Sequence, residues 1–413
     1  MGPKPQISQI TLIDSFCGEG QGCRFMNHLG YRIVSGILAG MLLAAMAPAQ
    51  TSSTDAEQRA TEYLAAHYQA PEDYLVSKFK DHEVVFLGEP HMVRQNLLFL
   101  QKLLPRLYKA GVYNLTYEMC LSDDQAEVDQ LVNTASYDND KALELMFRWD
   151  PQIGWAFQEY ADVLRAAWTV NHGLPKGKPR FRVVCADMRP DWSLVKPGEQ
   201  ITSRPTRWKA WQGSNQIARN VWMVSVIRHE VLDKGQKALA YNGFGHTTLA
   251  VTRDSREETG LRFSAAYQLR QRFASRITAV QLLDAGAAAP GSVGGGLSIS
   301  NVVAALPEEK RVIGFDLRGT PVGEVPLPEK VAATIVSEKK PPLTYADYPA
   351  EGIVQLGFKP EVVTAVGGFI TAARVEEAKR GGYLPKVPEI DAEWVLNHQK
   401  QFAQQFAQSI RNE

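Results

Sequence analysis

Residues 84–92 read VVFLGEPHM, an apolar run that ends in Gly88, Glu89, Pro90 and His91. Val84 to Leu87 show no polar alternation, the composition of a strand buried on both faces. Strand side chains alternate between faces, so Glu89 and His91 share a side if the strand extends that far. Pro90 cannot donate to a ladder and is tolerated at a strand's end. Unpaired charge near a core is costly, so a carboxylate and an imidazole here need a partner or a purpose.

The pattern repeats outward along the chain. VYNLTYEMC (112–120) is a second strand, with Glu118 near its end. FRVVCADM (181–188) is a third and carries Asp187. KALAYNGFGHT (237–247) is a fourth strand plus a turn that presents His246, and RITAVQLLD (276–284) is a fifth. Helical spacing separates them: residues 55–80, 93–111 with a kink at Pro105 and a stop at Gly111, 123–132, 138–147, 154–172, 217–235 and 264–273. VIGFDLRG (312–319) and GIVQLG (352–357) are later strands of the same domain. This alternation predicts an α/β fold, a mainly parallel (mixed) central sheet flanked by helices, with a cleft at the carboxyl ends of the strands. One domain is expected over residues 50–380. Insertions fall near 189–211, a lid-like loop, and 285–345, which starts in a Gly/Ala-rich stretch. Residues 381–413 read as a C-terminal helix.

The chain has 413 residues, 45% hydrophobic and 22% charged, ample for a core. Lys plus Arg equals Asp plus Glu at 45 each, which gives no basic footprint for nucleic acid. From Tyr31 the sequence reads YRIVSGILAGMLLAAMAPAQ, with Arg32 before an apolar stretch and Ala47-Pro48-Ala49 at its end. Residues 26–49 therefore read as a secretory signal peptide, and residues 1–25 as an over-extended N-terminus with the natural start at Met26. Export to the periplasm or medium follows, with no stable membrane span after cleavage. Beyond Cys17 and Cys23 there remain Cys120 and Cys185, too few for a disulfide framework. Both sit near strand ends. They pair only if their Cα atoms lie within about 7 Å, and free buried thiols are the simpler reading.

Glu89, His91, Glu118, Asp187 and His246 thus gather at one sheet edge, where open α/β sheets bind ligands. Two chemistries use such a set. One is general acid–base catalysis. The other is a divalent metal held by Glu89, His91, Glu118 and His246 that activates water. No HExxH or other compact metal motif is present, so the metal case rests on convergence. Taken singly, Glu118 reads as a helix N-terminal cap or a salt-bridge partner and Asp187 as a turn cap. Arg219, on the 217–235 helix, is either a solvated arginine or a fixed cation that pairs Glu89 or Glu118 or holds a substrate anion. Trp192, Trp208, Trp211 and Trp222 suit loop packing or a pocket wall. Gly243 and Gly245 suit a tight turn before His246. There is no GxSxG elbow, P-loop or GxGxxG after a strand.

The order of LGEPH (87–91), YEM (117–119), ARNVWMVSVI (218–227), YNGFGHT (241–247) and LRFSAAYQLRQRFASRITAVQLL (261–283) resembles a known superfamily. It comprises the erythromycin esterases, the ChaN-type haem-binding proteins and the Tiki/TraB proteins, and the likeness covers most of the chain after the signal peptide. The resemblance implies that Glu89 and His91 form the first Glu/His pair, Glu118 the second glutamate, Arg219 the helix arginine and His246 the later histidine. Esterase members activate water on an ester without metal, Tiki-like members resemble metal-dependent peptidases, and ChaN-like members bind haem. GEPH and Asp187 lie closer to the esterase branch, while Asn220 departs from the Arg-Asp pair expected there. The expectation is an exported hydrolase of a small-molecule or peptide substrate. Its alternatives are a haem- or iron-binding uptake protein using the same cleft, and an inactive binding module.

Overall fold

The computed structural model describes residues 53–411, apart from 197, 202, 213–214, 256, 258, 284–297, 340–341 and 358–359. The expectations for residues 1–25 and 26–49, and for most of the Gly/Ala-rich stretch, lie outside the described residues.

Two helices, α1 (Ser53–Ala66) and α2 (Pro71–Lys78), lead into β1 (Val84–Glu89). Then come α3 (Arg94–Lys109), β2 (Asn114–Leu121), α4 (Gln125–Leu131), α5 (Asn139–Trp149), α6 (Gln158–His172) and β3 (Arg182–Asp187). The middle of the chain holds α7 (Arg204–Ala210), α8 (Asn215–Glu230), β4 (Ala238–Gly243), the ribbon strands β5 (Thr252–Arg253) and β6 (Leu261–Arg262), α9 (Ala265–Phe273) and β7 (Ile277–Leu283). After it follow α10 (Ser298–Ala304), β8 (Ile313–Asp316), α11 (Glu329–Ala332), β9 (Gly352–Gln355), α12 (Ala372–Arg380) and α13 (Ala392–Arg411).

The expected α/β architecture is present. A seven-stranded sheet has the order β3-β2-β4-β1-β7-β9-β8, with every neighbouring pair parallel except β8 and β9. Strand β1 is buried at every position because both its faces are covered. Val85 and Leu87 join the apolar cluster of α3 and α6, whereas Val84 and Phe86 join that of α8 and α9. The period of two continues to the strand ends and decides which layer each polar residue meets.

Strand order brings the four polar-ended strands together: β3, β2, β4 and β1 are consecutive in the sheet. Their carboxyl ends therefore stand side by side, about 5 Å apart. Between β2 and β3 the register slips. Tyr117 pairs Cys185 but Leu121 pairs Asp187, so β2 takes four steps where β3 takes two. The bulge contains Glu118, and bulges re-aim side chains next to sites.

Local boundaries differ from the sequence reading in identifiable ways. The 55–80 helix is two helices, because Pro71 opens the second at its first turn. Helix α3 continues through Pro105, with Leu100, Leu103, Leu104 and Leu107 buried around it. The 189–211 insertion holds a short 3-10 turn at Trp192–Leu194 and α7, and the C-terminal helix begins at Ala392. No helix among the described residues is long and apolar enough to cross a membrane.

Candidate active site

Glu89 ends β1 on the α6 face and is buried. Its Oε1 accepts hydrogen bonds from the Tyr160 hydroxyl at 3.0 Å and the His91 Nδ1 at 2.8 Å, and its Oε2 accepts from the Tyr241 hydroxyl. Burial, and then the Glu89 carboxylate, push both phenols well up, so both remain donors. Tyr160 also accepts the Met92 N–H at 3.0 Å. Met92 has φ +72°, an uncommon conformation for a residue with a side chain, and it turns the chain sharply just after His91.

The His91 side chain is 32% exposed. Its ring stands edge-on to Trp155, with centroids 5.5 Å apart, and to Trp149 at 6.2 Å. With Nδ1 spent on Glu89, Nε2 is directed toward Gly243. A β-carbon at Gly243 would lie 2.6 Å from Nε2 and 3.4 Å from Glu118 Oε2, so this glycine keeps space for both groups. Neither Gly243 nor Gly245 has positive φ. A tight turn at Phe244–His246 does present His246, and the two glycines serve it by close approach, at Gly245 to Arg262. Burial pulls the His91 pKa down, but the Glu89 hydrogen bond and the Glu118 field outweigh it and raise it above the ordinary histidine value.

Glu118 meets the opposite, α8 layer. Its Oε1 accepts from Arg219 Nη2 at 2.6 Å and lies 3.3 Å from His246 Nε2, and its Oε2 accepts the Gly243 N–H at 2.5 Å. Arg219 also grips Asp187, through Nε at 3.0 Å and Nη2 at 2.5 Å. Asp187 further accepts the Trp149 indole N–H at 2.8 Å and the Met188 N–H at 2.9 Å. The guanidinium carbon lies 5.8 Å from the Trp149 ring and 5.4 Å from that of Trp211. Both carboxylates have no exposed side-chain surface and Arg219 has 10%. Burial raises the Glu118 carboxyl, yet His246 and Arg219 overcome it and hold it well below the usual range.

His246, on a short turn after β4, is buried. Its Nδ1 lies 2.6 Å from Asn220 Oδ1 on α8. Burial pulls its pKa below the ordinary value, and Glu118 works in the other direction.

All six singled-out residues, Glu89, His91, Glu118, Asp187, Arg219 and His246, come together at this edge. Arg219 pairs Glu118 and Asp187, not Glu89. Sequence reading passed over Tyr160, Tyr241, Trp149 and the hydrogen-bonding role of Asn220. Tyr241 was the findable one, since it precedes Gly243 by one strand period. Cys120 and Cys185 are free, buried and in contact across β2 and β3, and burial pushes the Cys185 thiol well up.

The donor set fits a metal poorly. The oxygens of Glu89 and Glu118 already accept hydrogen bonds from tyrosines, arginine, a backbone N–H and His91. No group of three or more His, Cys, Asp or Glu among the described residues is placed to hold an ion.

From Met188, next to Asp187 in the chain, opens a cavity of about 860 Å³, walled by residues 188–196, 198–199 and 382–389. Met188, Arg189, Trp192, Trp222, Leu384 and Pro385 line it. Arg189 and Trp192 donate to the Gly381 and Tyr383 carbonyls, which ties the two walls together.

No family model matches the chain, and no curated protein matches it in sequence. Among solved structures, a succinoglycan biosynthesis protein is similar with a TM-score of 0.51 and 9% identity, over 77% of this chain and 100% of that one. The C-terminal region of Pasteurella multocida toxin gives a TM-score of 0.35 at 13% identity, over 57% of this chain and 28% of that one. RRSP, a toxin effector domain from Vibrio vulnificus, gives 0.34 at 19% identity, over 56% and 40%. The first of these likenesses is one of fold: the chain shares its α/β architecture with the succinoglycan biosynthesis protein.

Proposed function

We propose that the chain is an exported hydrolase of the erythromycin-esterase/ChaN-like superfamily, acting on an ester or amide of a small molecule or peptide. The fold likeness and the motif order both support that superfamily. One observation carries the chemistry: His91 has Nδ1 fixed by Glu89 and its other nitrogen directed at the space over Gly243. His91 is the general base rather than His246, whose two ring nitrogens face Asn220 and Glu118 inside the protein.

In this reading His91 Nε2 takes a proton from a water molecule whose oxygen bonds to the substrate carbonyl carbon. Arg219 has Nε and Nη2 committed to Asp187 and Glu118. Its Nη1 meets the carbonyl oxygen as that oxygen becomes negative. The tetrahedral adduct then collapses, the bond to the leaving alcohol or amine breaks, and the His91 proton passes to the leaving atom. The cavity that opens from Met188 takes the remainder of the substrate.

The test is hydrolysis of a panel of activated esters by purified protein. His91→Ala is expected to lower turnover by about 100-fold or more with the circular dichroism spectrum unchanged. Equal turnover by the folded variant would remove His91 from the mechanism.

A further inference from the structure

We infer that Asn220 is a positioning residue that decides which proton His246 exchanges; only the rate part of the test below rests on the hydrolase reading. The Ala265 backbone N–H donates to Asn220 Oδ1 at 3.1 Å. A backbone N–H only donates, so the accepting atom is the amide oxygen, and this contact assigns the orientation of the amide. His246 Nδ1 lies 2.6 Å from the same oxygen, so Nδ1 carries a hydrogen. The other nitrogen, Nε2, lies 3.3 Å from a second acceptor, Glu118 Oε1.

A neutral imidazole has one N–H, and Asn220 has claimed it. The proton that comes and goes is therefore the one on Nε2, facing Glu118. Left to Glu118 alone, neutral His246 would place its hydrogen on Nε2 instead. Asn220 thus opposes the tautomer that the carboxylate selects. Charged groups around the ring are Glu118, Arg219 and Asp187. An aspartate at position 220 would hold the same tautomer but would add a third buried carboxylate around Arg219. The amide supplies direction without charge. Asn220 Nδ2 is buried with no hydrogen-bond partner, a burden that a mere brace for Ala265 has no reason to carry.

The chain of contacts Asn220–His246–Glu118 ends beside Gly243, where the other chain, Tyr241–Glu89–His91, also ends. One approaches from each layer of the sheet. Glu118 stands between the two chains, its Oε1 facing the His246 Nε2 and its Oε2 accepting the Gly243 N–H.

The experiment is nitrogen NMR of the histidine rings in full-length labelled protein across a pH series, with His246→Gln to assign the signal. In the wild type, neutral His246 is expected to bear its hydrogen on Nδ1, and the imidazolium to release its proton from Nε2. Asn220→Ala should move the neutral hydrogen to Nε2. Asn220→Asp should keep it on Nδ1 and shift titration to higher pH. Ester turnover should fall about 10- to 100-fold in Asn220→Ala, and Asn220→Asp should recover part of it with a displaced acid limb. A wild-type neutral form protonated on Nε2 overturns the inference, even if Asn220→Ala does not fold. So does an Asn220→Ala protein that retains the Nδ1 tautomer. If wild type hydrolyses no ester, the hydrolase reading fails and the tautomer result still decides the role of Asn220.

Discussion

Gly243 and His91 lie so close that any side chain at 243 must displace the imidazole: a β-carbon there would stand 2.6 Å from the His91 Nε2. The obstacle is the tip of a partly exposed side chain, not backbone, so the ring can turn away without displacing the main chain. Gly243→Ala is expected to lower stability by no more than the lost His91–Glu89 hydrogen bond, about 1–3 kcal/mol, while ester turnover drops at least tenfold, about 1.4 kcal/mol of barrier. A crystal structure of the variant should show the His91 ring rotated from Glu89. Retained turnover would mean that Nε2 is not the reacting atom.

Glu89→Gln tests the coupling within the Glu89–His91 pair. The base must be neutral, so the rate climbs as pH rises through the His91 pKa, which lies above the ordinary histidine value. Removing the carboxylate removes a raising cause, and the acid limb of kcat/KM should move to lower pH. Stability follows the same linkage. A raised histidine pKa contributes stability that is fully present below the unfolded value and lost as pH rises through the folded one. In Glu89→Gln this alkaline loss should be smaller, as read by denaturant midpoints across that window.

Arg219→Met leaves Glu118 and Asp187 buried with no cation between them. Breaking such a pair costs about 3–5 kcal/mol at neutral pH. The Glu118 carboxyl is held low, so its contribution is present above the unfolded pKa and lost as pH falls through the folded one. The gap between wild type and variant should therefore narrow in acid, where the orphaned carboxylates become protonated. Equal denaturant midpoints at neutral pH would show that the triad contributes nothing to stability.

Tyr241→Phe removes one donor from a fully buried carboxylate and leaves Glu89 Oε2 without it. The loss should be about 1–3 kcal/mol in stability. The histidine signal of His91 should shift with it, because Glu89 would then draw more strongly on the remaining donors. A variant as stable as wild type would mean that water replaces the hydroxyl.

Much of this site was legible because charged groups ending apolar strands are conspicuous. Glu89, Glu118, Asp187 and His246 each interrupt a run that is otherwise core, and parallel strands place their ends on one edge. What remained hidden depends on lateral order. Nothing in the local sequence puts β4 between β2 and β1, and that placement alone brings Tyr241 to Glu89 and Gly243 to Glu118. Tyr160 reaches Glu89 from a helix 71 residues away, a contact made by packing and invisible to periodicity. The bulge at Glu118 is likewise a property of two strands together. Helix limits followed a simpler rule: Pro71 starts a helix rather than lying within one.

The Glu118 carboxylate also has a bearing on assembly. It is held by Arg219, 101 residues later, and by Gly243, 125 residues later, while Arg219 reaches back 32 residues to Asp187. Contacts so distant in sequence close slowly, because each must first overcome the entropy of a long loop. A chain released before β4 is made has the glutamate but neither its backbone donor nor its arginine partner in place. The cluster therefore comes together only when β2, β3, β4 and α8 have all docked, and a partly folded chain leaves the Glu118 carboxylate without the partners that hold it.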